Sequence, residues 1–158
     1  MADLTHLDAS GTAHMVDVSA RPVTERASTA RGRVVLAPAT VALIRDAAVP
    51  KGDVIATARL AGVMAAKRTS DLIPLCHPIA ITYADVQCTV EDWGVAITAD
   101  VRIADRTGVE MEALTAVSVA GLTIIDMVKA VDPAAMLTDI AVATKSGGRS
   151  GDWRNPHG

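Results

Sequence analysis

A strand, two helices, a two-stranded hairpin, a long helix and a last strand can be read in order along the chain. That order predicts an α+β fold of the ferredoxin-like βαββαβ type, an antiparallel sheet with helices packed on one face. Three observations carry the prediction. Val95, Ile97, Ala99, Val101 and Ile103 alternate with Thr98, Asp100 and Arg102, the period-two signature of a half-buried strand. Residues from about Gly108 to Val131 are apolar with helical length, ended by Pro133. Half of the 158 residues are hydrophobic, yet Trp93, Trp153 and Tyr83 are the only aromatics. The core must therefore be Ala, Val, Ile and Leu, which favours close approach of helices to each other and to a sheet.

The elements follow in order. Residues 1–30 read as an irregular N-terminal segment, with a turn at Ser10-Gly11-Thr12 and a short extended piece at Met15-Val16-Asp17-Val18. Arg33 to Ala37 reads as a strand. Pro38-Ala39-Thr40 opens a helix to about Ala47, with proline near the start, where its missing N–H leaves no bond unmade. Lys51-Gly52-Asp53 is a turn, and Asp53 is the expected N-cap of a helix to about Lys67, whose Leu60, Val63 and Met64 keep helical spacing. Ile79, Ile81 and Tyr83 alternate in one phase and Val86, Cys88 and Val90 in the other. One strand with a bulge near Ala84-Asp85 is expected there. Asp92-Trp93-Gly94 turns it into the strand at Val95–Ile103, making a hairpin. After the long helix, Thr138 to Thr144 reads as the last strand, and residues 147–158 as a flexible tail. With no linker or repeat, residues 1–158 read as a single domain.

Composition excludes several classes. A net charge of −3 and few aromatics argue against a nucleic-acid binder. Cys76 and Cys88 have no CxxC spacing, and Met1-Ala2-Asp3-Leu4-Thr5-His6 has no signal-peptide character, so free thiols in the cytoplasm are expected. Ala113 to Ile125 carries no charge but is shorter than the ~20 apolar residues that span a bilayer, so no membrane is expected. A helix apolar all round is buried on all sides. A small domain can hardly enclose one alone, so a partner subunit is expected to cover part of it.

Three clusters carry chemistry. Asp126 and Lys129 lie three apart, on one side of a helix, and emerge from an uncharged run. A helix-end ion pair explains them as well as an acid/base pair in which Lys129 lowers the Asp126 pKa. Glu110 and Glu112 suit the positive end of the helix dipole on structural grounds alone. Glu112 and Asp126 are fourteen residues apart, within roughly 40° of one face but about 21 Å apart along the axis. If both serve one site, two antiparallel subunits must share it. Cys76-His77 sits in a Pro-bounded loop. His6, His14 and His157 are scattered, so no zinc-like ligand spacing exists and no metal is expected. His77 reads either as a backbone-bonded loop imidazole or as a substrate contact. Lys51, Lys67, Arg68, Lys145 and Arg149 read singly as surface charges; together they could neutralise a polyphosphate, with Lys51 before a helix N-terminus.

These runs resemble the cyclic pyranopterin monophosphate synthase family (molybdenum cofactor biosynthesis protein C). The resemblance extends from Leu4-Thr5-His6 to Lys145-Ser146-Gly147-Gly148. It is carried by His14–Val18, Lys51–Val54, Ala65–Thr69, Asp71–Pro78, Thr107–Thr115, Asp126 and Lys129–Val131. It implies a ferredoxin-like subunit assembled as a homo-hexamer, a trimer of dimers with active sites at the dimer interface. The substrate would be 3',8-cyclo-7,8-dihydroguanosine 5'-triphosphate and the products cyclic pyranopterin monophosphate and pyrophosphate, with no cofactor. The resemblance makes Asp126, Lys129 and Lys51 the catalytic group and draws substrate contacts from Leu75, Cys76, His77, Met111 and Glu112. Glu110, Lys67, Arg68 and Lys145 join them as expected contacts from the charge pattern. The competing reading from the residues is a non-catalytic nucleotide-binding oligomer, since fold never proves function. A hydrolytic GTP cyclohydrolase would be expected to use metal ligands that are missing here.

Overall fold

The computed structural model describes residues 10–148 and 151–157. Leu4-Thr5-His6 and Arg149 lie outside the described residues. The elements are β1 (Thr24–Val35), α1 (Pro38–Arg45), α2 (Val54–Ala66), α3 (Thr69–Leu72), β2 (Tyr83–Glu91), β3 (Gly94–Asp105), α4 (Glu110–Val128), β4 (Met136–Ser146) and β5 (Trp153–Arg154). The strands form one antiparallel sheet in the order β2-β3-β1-β4-β5. The first four strands stand in the ferredoxin-like order, in which each crossover connection skips one strand.

The alternating residues of β3 form the floor of the core. Val95, Ile97, Ala99, Val101 and Ile103 are all buried, as are Ala30 and Val34 of β1 and Val86 of β2. Over them lie Ala113, Ala116, Val117, Ala120 and Ile124 of α4. The opposite face of β1 carries the exposed Arg31, Arg33 and Val35, so the helices cover one face only. Small residues set the spacing. A Cβ on Gly62 of α2 would stand 2.9 Å from the Ala116 carbonyl of α4, and one on Gly32 of β1 would stand 2.6 Å from Val117 Cγ1.

The two long helices run in opposite directions. Gly62 lies beside Ala116, while Lys51, just ahead of α2, meets Asp126 near the end of α4. Asp53 caps α2 as expected, accepting from the Ala56 N–H at 2.9 Å.

Several boundaries differ from expectation. β1 begins at Thr24, inside the segment read as irregular, because its inward residues Ser28, Ala30 and Gly32 are too small to show as an apolar alternation. β2 begins at Tyr83 and pairs with β3 without a break from Tyr83↔Arg102 to Glu91↔Gly94, so the bulge near Ala84-Asp85 is absent. Ile79 and Ile81 are loop residues packed against the core, which explains their opposite phase. The irregular pairing lies in β4, where Asp139 takes φ 55° and the register against β1 shifts twice. Trp153 and Arg154, within the segment read as flexible tail, pair with Lys145 and Thr144.

The length of α4 differs from expectation. At 19 residues it is long and apolar enough to span a bilayer by length and composition. It packs between α2 and the sheet, which bury just over half of its residues. Leu122 of α4 and Leu60 and Met64 of α2 are among the large apolar side chains left exposed on the helical layer.

Candidate active site

Two groups of candidate side chains stand at opposite ends of α4. At its C-terminal end Asp126 is gripped by two ammonium groups. Lys129 Nζ lies 2.8 Å from Oδ1. Lys51 Nζ lies 2.8 Å from Oδ2 and also donates to the Asp126 carbonyl at 2.8 Å. Lys129 is local, one turn along the helix. Lys51 comes from the distant loop before α2, which turns through Gly52 at φ 98°. A simple helix-end pair would not recruit it. The Lys129 hydrogen bond, then the Lys51 bond, hold the Asp126 carboxyl down at about 2. It is therefore an ionised carboxylate, half exposed, orienting two cations rather than storing a proton.

At the N-terminal end, a cavity of about 230 Å³ is lined by Leu75, Cys76 and His77, by Glu110, Met111 and Glu112, and by Val16, Val18, Arg21, Thr107 and Gly108. The carboxyls of Glu110 and Glu112 stand in the first turn of α4, where the dipole favours negative charge. Burial outweighs the dipole at Glu112. The residue is 4 % exposed. Loss of solvent, with a smaller push from Glu110, raises its carboxyl to about 7. It can hold or release a proton near neutrality. Burial and the nearby Glu112 push the Cys76 thiol up, which argues against a thiolate nucleophile. His77 Nε2 donates to the Val16 carbonyl at 2.8 Å, fixing the ring at the cavity wall.

Glu110 reaches across to Lys145 of β4 at 3.2 Å. Its carboxylate lies directly over Gly108, where any Cβ would collide with it. Lys67 and Arg68 follow α2 and so sit at the Glu112 end of the molecule, but neither lines the cavity.

The chain thus gathers most expected residues into two sets without joining them. Lys51, Asp126 and Lys129 form one; Leu75, Cys76, His77, Glu110, Met111, Glu112 and Lys145 form the other. None of Lys51, Asp126 and Lys129 lines the Glu112 cavity. Among the described residues no group of three His, Cys, Asp or Glu stands ready for a metal ion. Arg21, Val16 and Val18 were not among the expected site residues. Nothing marks an arginine in an irregular segment as belonging to a site built by distant parts of the chain.

Residues 15–148 match the family model described as the MoaC family. The cyclic pyranopterin monophosphate synthase of Streptomyces griseus is 61% identical over 151 residues, 96% of this chain and 85% of its own length. That of Nocardioides is 60% identical over 97% of this chain and 96% of its own. That of Chloroflexus aurantiacus is 58% identical over 98% and 96%.

Proposed function

The chain belongs to the MoaC family, and from that premise we propose that it acts as a cyclic pyranopterin monophosphate synthase in molybdenum cofactor biosynthesis. It converts 3',8-cyclo-7,8-dihydroguanosine 5'-triphosphate to cyclic pyranopterin monophosphate and pyrophosphate. The observation that carries the mechanism is the pair of differently tuned carboxyls at the two ends of α4.

Opening a purine-derived ring and reclosing it as a pterin needs groups that exchange protons near neutrality. Glu112, at about 7, suits that role. Asp126 stays ionised and aims the Lys51 and Lys129 ammonium groups at oxygens that gain charge. In the second half a sugar hydroxyl attacks the α-phosphorus. A new P–O bond forms as the bond to the β-phosphate oxygen breaks, and pyrophosphate leaves. Lys145, Lys67 and Arg68 offset its charge, with His77 as a further substrate contact. Leu75, Cys76 and Met111 wall the base.

The two sets are about 21 Å apart along one helix, fourteen residues at 1.5 Å each. One substrate meets both only if a second chain, packed antiparallel, brings its Asp126 set to this Glu112 set. Exposed Leu60, Met64 and Leu122 on the helical layer support such packing. We assign the working form as a homo-hexamer, a trimer of dimers with composite sites. The two cysteines are free thiols, in keeping with a cytoplasmic setting.

The test is turnover of the enzymatically made cyclised substrate, read as pyrophosphate release together with pterin fluorescence after oxidation. Asp126→Asn, Lys129→Ala and Lys51→Ala each lose both signals while keeping their oligomeric state. A mixture of Glu112→Gln and Asp126→Asn subunits regains activity through hybrid dimers. Wild-type turnover in Asp126→Asn overturns the catalytic assignment, and no recovery after demonstrated subunit exchange overturns the composite site. A folded oligomer that binds substrate and yields neither signal is a nucleotide-binding module instead.

A further inference from the structure

We propose that Arg21 is a phosphate-binding cation on the wall of the Glu112 cavity, presented there by a strap formed by residues 16–21. The inference rests on the function proposed above and adds a substrate contact to it. The cavity wall carries two carboxyls, Glu110 and Glu112. An ionised Glu112 would repel a nucleotide triphosphate. Lys145 is already paired with Glu110. Arg21 lines the same cavity and, among the described residues, has no carboxylate partner.

The strap is stitched down on both sides of the cavity. The Val16 carbonyl accepts from His77. The Arg21 carbonyl accepts from Arg106 Nε at 2.9 Å. Between them a turn closes with the Arg21 N–H donating to the Val18 carbonyl at 3.0 Å, and Asp17 Oδ1 takes the Ser19 N–H and hydroxyl at 2.9 and 2.7 Å. These bonds use the backbone of Arg21 and leave its guanidinium available. A guanidinium fork matches two oxygens of a phosphate, and it stays charged throughout the working pH range.

The experiment compares wild type, Arg21→Ala, Arg21→Lys and Asp17→Ala in steady-state turnover, and in calorimetric binding of inorganic tripolyphosphate. Losing a charge-assisted phosphate contact should raise KM roughly tenfold or more, with kcat nearly unchanged. Tripolyphosphate affinity should fall in parallel. Arg21→Lys recovers part of the loss, because the charge remains without the fork, and Asp17→Ala gives a smaller rise in KM. Wild-type KM and tripolyphosphate affinity in Arg21→Ala overturn the proposal. So does a loss in Asp17→Ala without one in Arg21→Ala, which would make the strap purely structural. If wild type itself fails to release pyrophosphate, the proposed function falls. Tripolyphosphate binding that depends on Arg21 would still support the anion subsite.

Discussion

Glu112→Gln tests the buried carboxyl directly through stability. The Glu112 carboxyl is raised from 4.5 to about 7, chiefly by burial. Its folded pKa exceeds its unfolded one, so the native state binds this proton more tightly. The resulting stability is fully present below about pH 4.5 and is lost as pH rises through 7. A difference of about 2.5 pK at 1.36 kcal/mol each gives at most about 3 kcal/mol per chain across that window, less whatever solvent in the cavity screens. At 4 % exposure the residue has little solvent to screen it. Urea unfolding at fixed protein concentration, from pH 4.5 to 8, measures the slope. Wild type should lose stability as pH rises by about that much more than Glu112→Gln, in which a neutral amide occupies the same volume. Equal slopes would refute the buried, proton-holding carboxyl. A reversed difference would show a charge partner, not burial, governing Glu112.

Asp126 predicts the opposite limb. Its carboxyl is lowered to about 2 by Lys129 and Lys51, so its contribution is present above about pH 4 and is lost as pH falls toward 2. Acid unfolding of Asp126→Asn should be flatter there than that of wild type. Gly62→Ala puts a Cβ 2.9 Å from the Ala116 carbonyl, which forces α2 from α4 and should lower urea stability by ~1–3 kcal/mol. Gly108→Ala drives the Glu110 carboxylate off its seat and away from Lys145. An exposed or half-exposed pair contributes only about 0–1 kcal/mol, so the variant should lose turnover with little change in melting temperature.

The residues that announced the fold were those whose burial and period agree. Val95 to Ile103 alternate and are buried in that alternation. Asp53 precedes an apolar run and caps it. Misreadings fell where burial does not follow period. Ser28, Ala30 and Gly32 face the core of β1 but are too small to signal it, and Ile79 and Ile81 bury themselves from a loop. In the candidate site, Asp126, Lys129, Glu110 and Glu112 were legible because charge interrupts an apolar helix. Lys51 meeting Asp126 and Lys145 meeting Glu110 are tertiary contacts that no local pattern encodes. Arg21 was illegible for the same reason.

The length of α4 now takes on a chemical meaning. A helix that is buried and built of small residues holds its two ends at a fixed separation, with one carboxyl at each end in an opposite environment. Glu112 is largely buried at the cavity wall and holds a proton to about pH 7; Asp126 is open, clasped by two ammonium groups, and ionised to about pH 2. Proton-transfer sites need such a divergence between neighbouring carboxyls. Within one chain the helix keeps them apart, where neither perturbs the other. In the composite site proposed above, an antiparallel copy would bring the proton-holding end of one chain to the ionised end of the next. Each chain then folds with both carboxyls already tuned, and assembly supplies only their proximity. Monomeric protein should accordingly hold intact half-sites and turn over no substrate, and activity should rise with concentration in step with dimer formation. Full activity in a demonstrated monomer would contradict that division of labour.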